Sequence, residues 1–306
     1  MTTTPYDLRH VANQGWDQRI RVFQYERLVT TFAVISMRYV VLLDTLLNRT
    51  MAGMMLDAVR DELRAGRQLL VINTHADWDH AWGNAAFVGP DALHVAPVIG
   101  HRLCRERLLS SEAQAELAQK QTAEPQLFAD VRLMPPTITF AGSLTIDGGD
   151  LTIELIPTPG HTPDHLSIWI PEIQTLFTGD AAEIPFPSVG SPDDLPYLRA
   201  SLKQLQALDP TTTFYCHAPG YFHPAGVQAN IAYFDEVEQR VVTALTADRI
   251  PAVIDETTDV EALIDYPFDD VPDTAGLDQQ ERALYRSGHH QAIRAMLAHL
   301  QARPTP

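Results

Sequence analysis

The sequence predicts an α+β fold in which one β-rich block packs on another with helices outside. Three observations carry this. Runs rich in β-forming residues gather in two blocks, residues 18–43 and 137–179, and segments with helical apolar spacing separate and follow them. The third is scale: 306 residues, 45% apolar and 20% charged, suffice for a buried core and do not resemble a disordered, collagenous or coiled-coil chain.

In chain order, residues 18–43 carry Val, Ile, Phe, Tyr and Thr with partial alternation, which predicts two or three consecutive strands ended by Asp44. Met51, Met55, Leu56, Val59 and Leu63 then predict a helix over 50–65, with Gly66 as its terminator and a strand at 68–74 behind it. That strand runs into His75-Ala76-Asp77-Trp78-Asp79-His80, so polar residues gather past a strand's carboxyl end, where ligands bind in layered α/β folds. Residues 98–123 read as helical and are stopped by Pro135 and Pro136. Residues 137–179 alternate β-type runs with turn residues and read as antiparallel strands. Leu195, Leu198, Leu202, Leu205 and Leu208 give the next helix a core face, ahead of a strand at 211–216 and a loop at 217–220. Beyond 227 the pattern is helical: Val227, Ile231, Phe234, Val241 and Leu245 mark one helix, and Ile293, Met296, Leu297 and Leu300 a last one. No internal repeat of fixed period is present.

Charge narrows the function. With 22 basic against 39 acidic residues the formal charge is −17, a poor match to a phosphate backbone, so nucleic acid is not an expected partner. Eight of the acids fall in residues 251–273, which carry no Lys or Arg and read as a solvated segment. Cys104 and Cys216 stand far apart, which suggests neither a disulfide framework nor a thiolate zinc cluster and fits a reducing cytoplasm. The N-terminal residues lack a basic segment followed by an apolar one, and the most apolar stretch, 28–47, is interrupted by Arg38 and Asp44. A cytoplasmic, unprocessed protein with no membrane partner is expected.

The strongest chemical signal is the run 75–80, in which four potential ligands, His75, Asp77, Asp79 and His80, lie in a loop where they can converge. Carboxylates and neutral imidazoles suit divalent first-row metals, and two ions need further donors. His161 in TPGHTPDH, Asp180 in LFTGDA and His217 in YCHAPG are candidates, each beside Gly or Pro at an apparent strand end.

In these blocks the sequence resembles the metallo-β-lactamase superfamily, whose pattern is HxHxDH followed by a distant His, Asp and His. The likeness extends to Pro159-Gly160-His161-Thr162-Pro163, Thr178-Gly179-Asp180 and His217 ahead of Gly220, and covers roughly residues 20–225. It implies a four-layer αββα sandwich over residues 1–226, with 227–306 as a helical extension packing on or near the active site. It also implies a two-metal site: His75 and His161 on the first ion, Asp79, His80 and His217 on the second, and Asp180 bridging. One position departs, because Asp77 stands where the family has its second histidine.

Three readings of Asp77 stay open: a working carboxylate ligand of the first metal, a non-ligand that leaves that site weak, or the mark of an inactive relative. Charge favours the first, since two divalent ions are balanced by Asp77, Asp79, Asp180 and one bridging hydroxide, and uncompensated charge in a partly desolvated pocket is costly. An oxygen donor there also moves preference modestly from zinc toward iron or manganese. The flavodiiron oxygen reductases are similar, with Glu at this place, but the residues after 226 are too few and too helical for their flavodoxin-like module.

The resemblance implies a metal-dependent hydrolase that uses a bridging hydroxide, with Asp79 and Asp180 as catalytic carboxylates. No GxSxG elbow competes, and neither cysteine has an activating neighbour. The expected substrate is a small molecule with an ester-like bond, such as a lactone, thioester or phosphoester, neutral or cationic. The alternative is an iron-dependent oxidoreductase of persulfide dioxygenase or diiron type. Metal identity among Zn, Fe and Mn is left open, as is a homodimer. Blander roles are expected elsewhere: His165 as a supporting group, Glu183 as a helix-start or surface carboxylate, Trp78 and Trp82 as packing under the loop. His10, His94, His101, His223, His289, His290 and His299 read as solvated or structural.

Overall fold

Among the described residues, twelve strands form two mixed sheets. The first contains β1 (Leu8–Val11), β2 (Ile20–Tyr25), β3 (Val29–Ile35), β4 (Tyr39–Leu43), β5 (Gln68–Ile72), β6 (Val98–His101) and β7 (Ile138–Phe140), in that spatial order. It is antiparallel through β4 and parallel from β4 to β7. The second runs β12 (Thr212–Phe214), β11 (Thr175–Phe177), β10 (Leu166–Ile170), β9 (Thr152–Pro157) and β8 (Leu144–Asp147), with only the β11–β12 pair parallel. This computed structural model describes residues 6–217, 222–251 and 253–302. Gly220, part of the sequence pattern after His217, lies outside them.

The helices are α1 (Arg49–Ala58), α2 (Arg60–Arg64), α3 (Arg102–Leu108), α4 (Ser111–Ala123), α5 (Pro125–Phe128), α6 (Leu195–Gln206), α7 (Ala225–Thr246), α8 (Val260–Ile264) and α9 (Gln279–Gln301). Two compact units result. One joins Met1–Pro157, Asp164–Gly179 and Thr211–Phe222 and holds both sheets; the other joins Thr158–Pro163, Asp180–Pro210 and His223–Pro306 and is helical. Among the described residues no helix is long and apolar enough to cross a membrane.

In the first unit the sheets meet through aromatic rings. Phe32 of β3 lies 5.0 Å from Phe177 of β11 and 5.1 Å from Phe214 of β12, and the last two stack with an interplanar angle of 11°. Burying each such ring contributes roughly 1.5–3 kcal/mol. All seven residues of β3 are buried, Thr30 and Thr31 included, so the strand is covered on both faces. Asn48 starts α1 by accepting a hydrogen bond from Met51 N–H at 3.0 Å.

Several expectations need correction. Residues 98–101 are strand β6, not helix: Ile99 pairs in parallel with both Ile72 and Ile138, and Pro136 packs where a Cβ on Gly100 would stand. Strand β7 therefore belongs to the first sheet in parallel and not to the antiparallel set that follows it. The helix expected over 50–65 breaks at Val59 into α1 and α2. The acidic stretch 251–273 is not wholly solvated, because Val260, Ile264, Tyr266, Phe268 and Val271 are buried while most of its carboxylates face outward.

The helical unit has a core of its own. Phe186 stacks on Tyr233 at 4.1 Å, and Tyr233 donates through its hydroxyl to Nδ1 of buried His289 at 2.8 Å. The Nε2–H of His289 donates to the Tyr266 carbonyl at 2.9 Å, which fixes a neutral tautomer. Burial lowers the pKa of this imidazole below its ordinary 6.5.

At Gly83 a Cβ would stand 2.0 Å from the Thr45 carbonyl oxygen, so the backbone of residues 82–86 lies directly on the turn before α1. Gly83→Ala should lower stability by about 1–3 kcal/mol, read as the urea midpoint; an unchanged midpoint would remove this constraint. Because His289 is held neutral in the fold and charges more easily when unfolded, its contribution is full above pH 6.5 and is lost as pH falls below it. An NMR titration of this imidazole should show an inflection below 6.5, and an unshifted value would contradict the assignment.

Candidate metal centre

Loop 75–80 leaves β5 at its carboxyl end, between parallel neighbours β4 and β6. The Asp77 carbonyl accepts from His80 N–H and Ala81 N–H, both at 3.0 Å, and this single turn brings Asp79 and His80 round together. His217 follows β12, which the parallel pairing with β11 carries into the same unit. Asp79 Oδ2 lies 3.7 Å from His80 Nε2 and 3.5 Å from His217 Nε2, and the two nitrogens are 3.4 Å apart. Two donors on one tetrahedral cation at about 2.1 Å stand roughly 3.4 Å apart, so these three atoms form one face of a coordination polyhedron.

The rear nitrogens explain why the front ones converge. His80 Nδ1 meets the buried Asp44 carboxylate at 2.8 Å, and His217 Nδ1 meets the Leu28 carbonyl at 2.7 Å. Both acceptors lack protons, so each Nδ1 is the protonated one and each Nε2 presents a lone pair. Thr74 donates its hydroxyl proton to Asp44 Oδ2 at 2.8 Å and so accepts from His75 Nδ1 at 2.9 Å, which gives His75 the same tautomer. His75 Nε2 then faces Asp77 Oδ2 at 3.5 Å. In each pair an acceptor faces an acceptor, an arrangement that favours a cation between them.

The sequence pattern marks Asp44 only as the end of a strand. It is a buried carboxylate with a left-handed backbone, φ 63°, and takes hydrogen bonds from Thr74 N–H, Thr74 Oγ1 and His80. Arg107 carries no signal in the sequence either. From the last turn of α3 its guanidinium reaches Asp77 Oδ1 at 2.6 Å and the fully buried Asp164 at 2.5 Å. Burial opposes its charge, yet the two carboxylates outweigh that and raise its pKa.

The helical unit organises the other expected donors. Gly160, with φ 135°, lets the chain before His161 lie against α6, where any Cβ would stand 2.3 Å from Leu198 backbone atoms. His161 Nδ1 is within 2.9 Å of the Ser188 hydroxyl, and its Nε2 faces Asp180 Oδ2 at 3.5 Å. Glu183 joins this group, with ligand atoms of His161, Asp180 and Glu183 all within 4.8 Å of one another. Glu183 is thus neither a helix start nor a surface carboxylate. It is buried, Asn230 holds its backbone, and Tyr285 of α9 donates to its Oε2 at 2.9 Å. Burial, followed by the charge of Glu183, pushes the Tyr285 hydroxyl pKa well above its usual range.

The remaining residues take supporting parts. His165 is buried with its ring 5.0 Å from that of His75 and joins none of the candidate donor groups among the described residues. Trp78 and Trp82 both set their rings edge-on to Phe128, and Lys120 lies 3.6 Å over Trp78. Burial raises the Cys104 thiol well above its ordinary pKa, which leaves it inert.

Comparison with solved structures supports the fold. A metallo-beta-lactamase family protein from Thermus thermophilus superposes with a TM-score of 0.58 at 19% identity, covering 89% of this chain and 88% of that one. A metallo-beta-lactamase from Pontibacter korlensis gives 0.54 at 17%, covering 74% and 97%. By sequence, the chain is 25% identical over 173 residues to a human hydroxyacylglutathione hydrolase-like protein, which is 55% of this chain and 47% of that one. It is 37% identical over 76 residues to the beta-lactamase-like protein 2 homolog of Caenorhabditis elegans, covering 25% and 24%. The chain thus spans about half or less of these relatives' length. Strands β3 to β12, the loop after β5 and the His and Asp donors all fall within residues 25–217, which match the model of the metallo-beta-lactamase superfamily, and the chain belongs to that superfamily.

Proposed function

We propose that the protein is a binuclear metal-dependent hydrolase acting on an ester-like bond of a small molecule. In this reading Asp79, His80 and His217 would hold one divalent cation, and His75 and Asp77 would contribute to the other. The observation that carries it is the face formed by Asp79, His80 and His217, whose edges of 3.4–3.7 Å match one cation and whose two imidazoles are locked from behind. The human relative's name, a hydroxyacylglutathione hydrolase-like protein, supports hydrolysis over other chemistries.

When bound, such a pair of cations lowers the pKa of a shared water toward neutrality and polarises the substrate oxygen. The chain's own residues orient and exchange protons. Asp79, only slightly exposed, can accept a proton from the attacking water and return it to the leaving group. Asp44, Thr74 and the Leu28 carbonyl keep three imidazoles from turning, so little reorganisation is needed during turnover.

A second reading, iron-dependent oxidation, draws on the oxygen donor Asp77, which faces His75 where a nitrogen is usual in this superfamily. Elemental analysis with oxygen consumption separates the two. A colourless protein that hydrolyses with zinc or manganese supports the first reading, and iron with substrate-dependent oxygen uptake supports the second.

The direct test loads the protein with Mn, Fe or Zn and assays lactones, thioesters and phosphodiesters. Metal-dependent turnover is expected, with Asp79→Asn lowering kcat about 10²-fold or more. Absence of hydrolysis across the panel with metal fully bound would sink the proposal. Asp44→Ala should weaken binding of one cation by about 10–100-fold in chelator competition, because His80 loses its anchor. Unchanged affinity would show that the tautomer does not depend on Asp44.

A further inference from the structure

Arg107 and Asp77 form a unit with a specific geometry. A lone carboxylate offers two oxygens and rotates about its bond to Cβ, whereas an imidazole presents one lone pair in a fixed direction. Here one oxygen of Asp77 is committed to the guanidinium, Oδ1 at 2.6 Å, and the other, Oδ2, is aimed at His75 Nε2 at 3.5 Å. The guanidinium cannot swing freely. Its second arm holds Asp164, whose side chain is fully buried. Arg107 also rises from α3, a helix anchored through buried Cys104 and Leu108.

We propose that Arg107 is a positioning residue that makes Asp77 a one-oxygen metal donor, so that the pair replaces the single imidazole usual at this position of the superfamily. The inference rests on the reading of Asp77 as a ligand. Asp164 supplies the anchor, Arg107 the link and Asp77 the donor oxygen. Arginine suits this part, since its planar fork holds two carboxylates in fixed directions; a lysine ammonium can meet both carboxylates but without that fixed geometry. The charge sum is undisturbed, because Arg107 and Asp164 cancel.

The test is metal affinity of the full chain, measured by chelator competition with Mn(II) and Zn(II), alongside the thermal midpoint of the metal-free protein. Arg107→Ala should weaken the first-site cation by about 10–100-fold, with Arg107→Lys in between. Asp77→Ala should cost as much, and adding Arg107→Ala to it should cost nothing more, because the two act through one contact. In an Asp77→His background, removing Arg107 should change affinity by less than about twofold, since an imidazole needs no guanidinium behind it. Arg107→Ala leaves Asp164 buried without its partner, so Arg107→Ala with Asp164→Asn serves as the folded comparison and should show the same loss. The proposal is overturned if that double variant binds metal as the wild type does, if Asp77→Ala binds unchanged, or if loss of Arg107 is as harmful beside His as beside Asp at position 77. Unchanged binding in Asp77→Ala would remove Asp77 from the ligand set and leave hydrolysis standing; the hydrolase reading fails instead on metal-loaded wild-type protein without turnover.

Discussion

A buried imidazole has to commit both of its nitrogens, and the candidate centre depends on how that commitment is made. Asp44 takes the proton side of His80, Thr74 that of His75, and the Leu28 carbonyl that of His217. Each of these partners belongs to the sheet-containing unit, and Asp44 accepts backbone and side-chain hydrogen bonds from Thr74 as well. The inward-facing nitrogens therefore carry lone pairs by construction. A carboxylate oxygen set 3.5–3.7 Å from each would be repulsive if nothing positive stood between. The stability of the sandwich, supplied by the aromatic contact between sheets and the buried strands β3 to β5, is what can hold such groups in place.

The loop itself is short because its backbone is satisfied locally. His80 N–H and Ala81 N–H return to the Asp77 carbonyl, Thr45 N–H meets the His80 carbonyl, and Gly83 N–H meets that of Leu46. Few donors are left to water, so the six residues form a fixed corner at the end of β5. The bare backbone at Gly83 is what allows residues 82–86 to close on the turn before α1. Packing on the far side of the loop, through Trp78, Trp82 and Phe128, adds apolar support without offering a polar group to the centre.

Much of this is legible in the sequence, for physical reasons that also mark its limits. The apolar runs of β2 to β4 and the leucine spacing of α6 are local patterns, and the structure has strands and a helix there. The run 98–101 misleads because a four-residue buried strand flanked by a helix has no period of its own; its partners Ile72 and Ile138 decide it. Val59 breaks a helix that spacing alone would continue. The histidines and aspartates of the centre stand beside glycines and prolines in a recognisable order, but their supports do not. Asp44, Arg107 and Glu183 are ordinary acids and bases in the sequence, and only tertiary pairing over 36, 30 and 102 residues gives them their parts.

The supports also sort the acidic groups into two kinds, and the difference bears on the charge problem that the proposed two-metal site would have to solve. Asp44 and Asp164 face donors: Thr74 and His80 in the first case, Arg107 in the second. Their charge is already compensated and cannot contribute much to holding a cation. Asp79 faces imidazole lone pairs, and Asp77 divides, one oxygen on Arg107 and one toward His75. A protein with this many buried carboxylates and a formal charge of −17 gains little by adding negative charge to a pocket; what it needs is to direct the charge it has. Protons and cations compete for the same lone pairs, so in the proposed site the donor atoms that face one another would set which metal binds and how firmly. In this chain the arginine beside the substituted position decides how much of that carboxylate remains to be used.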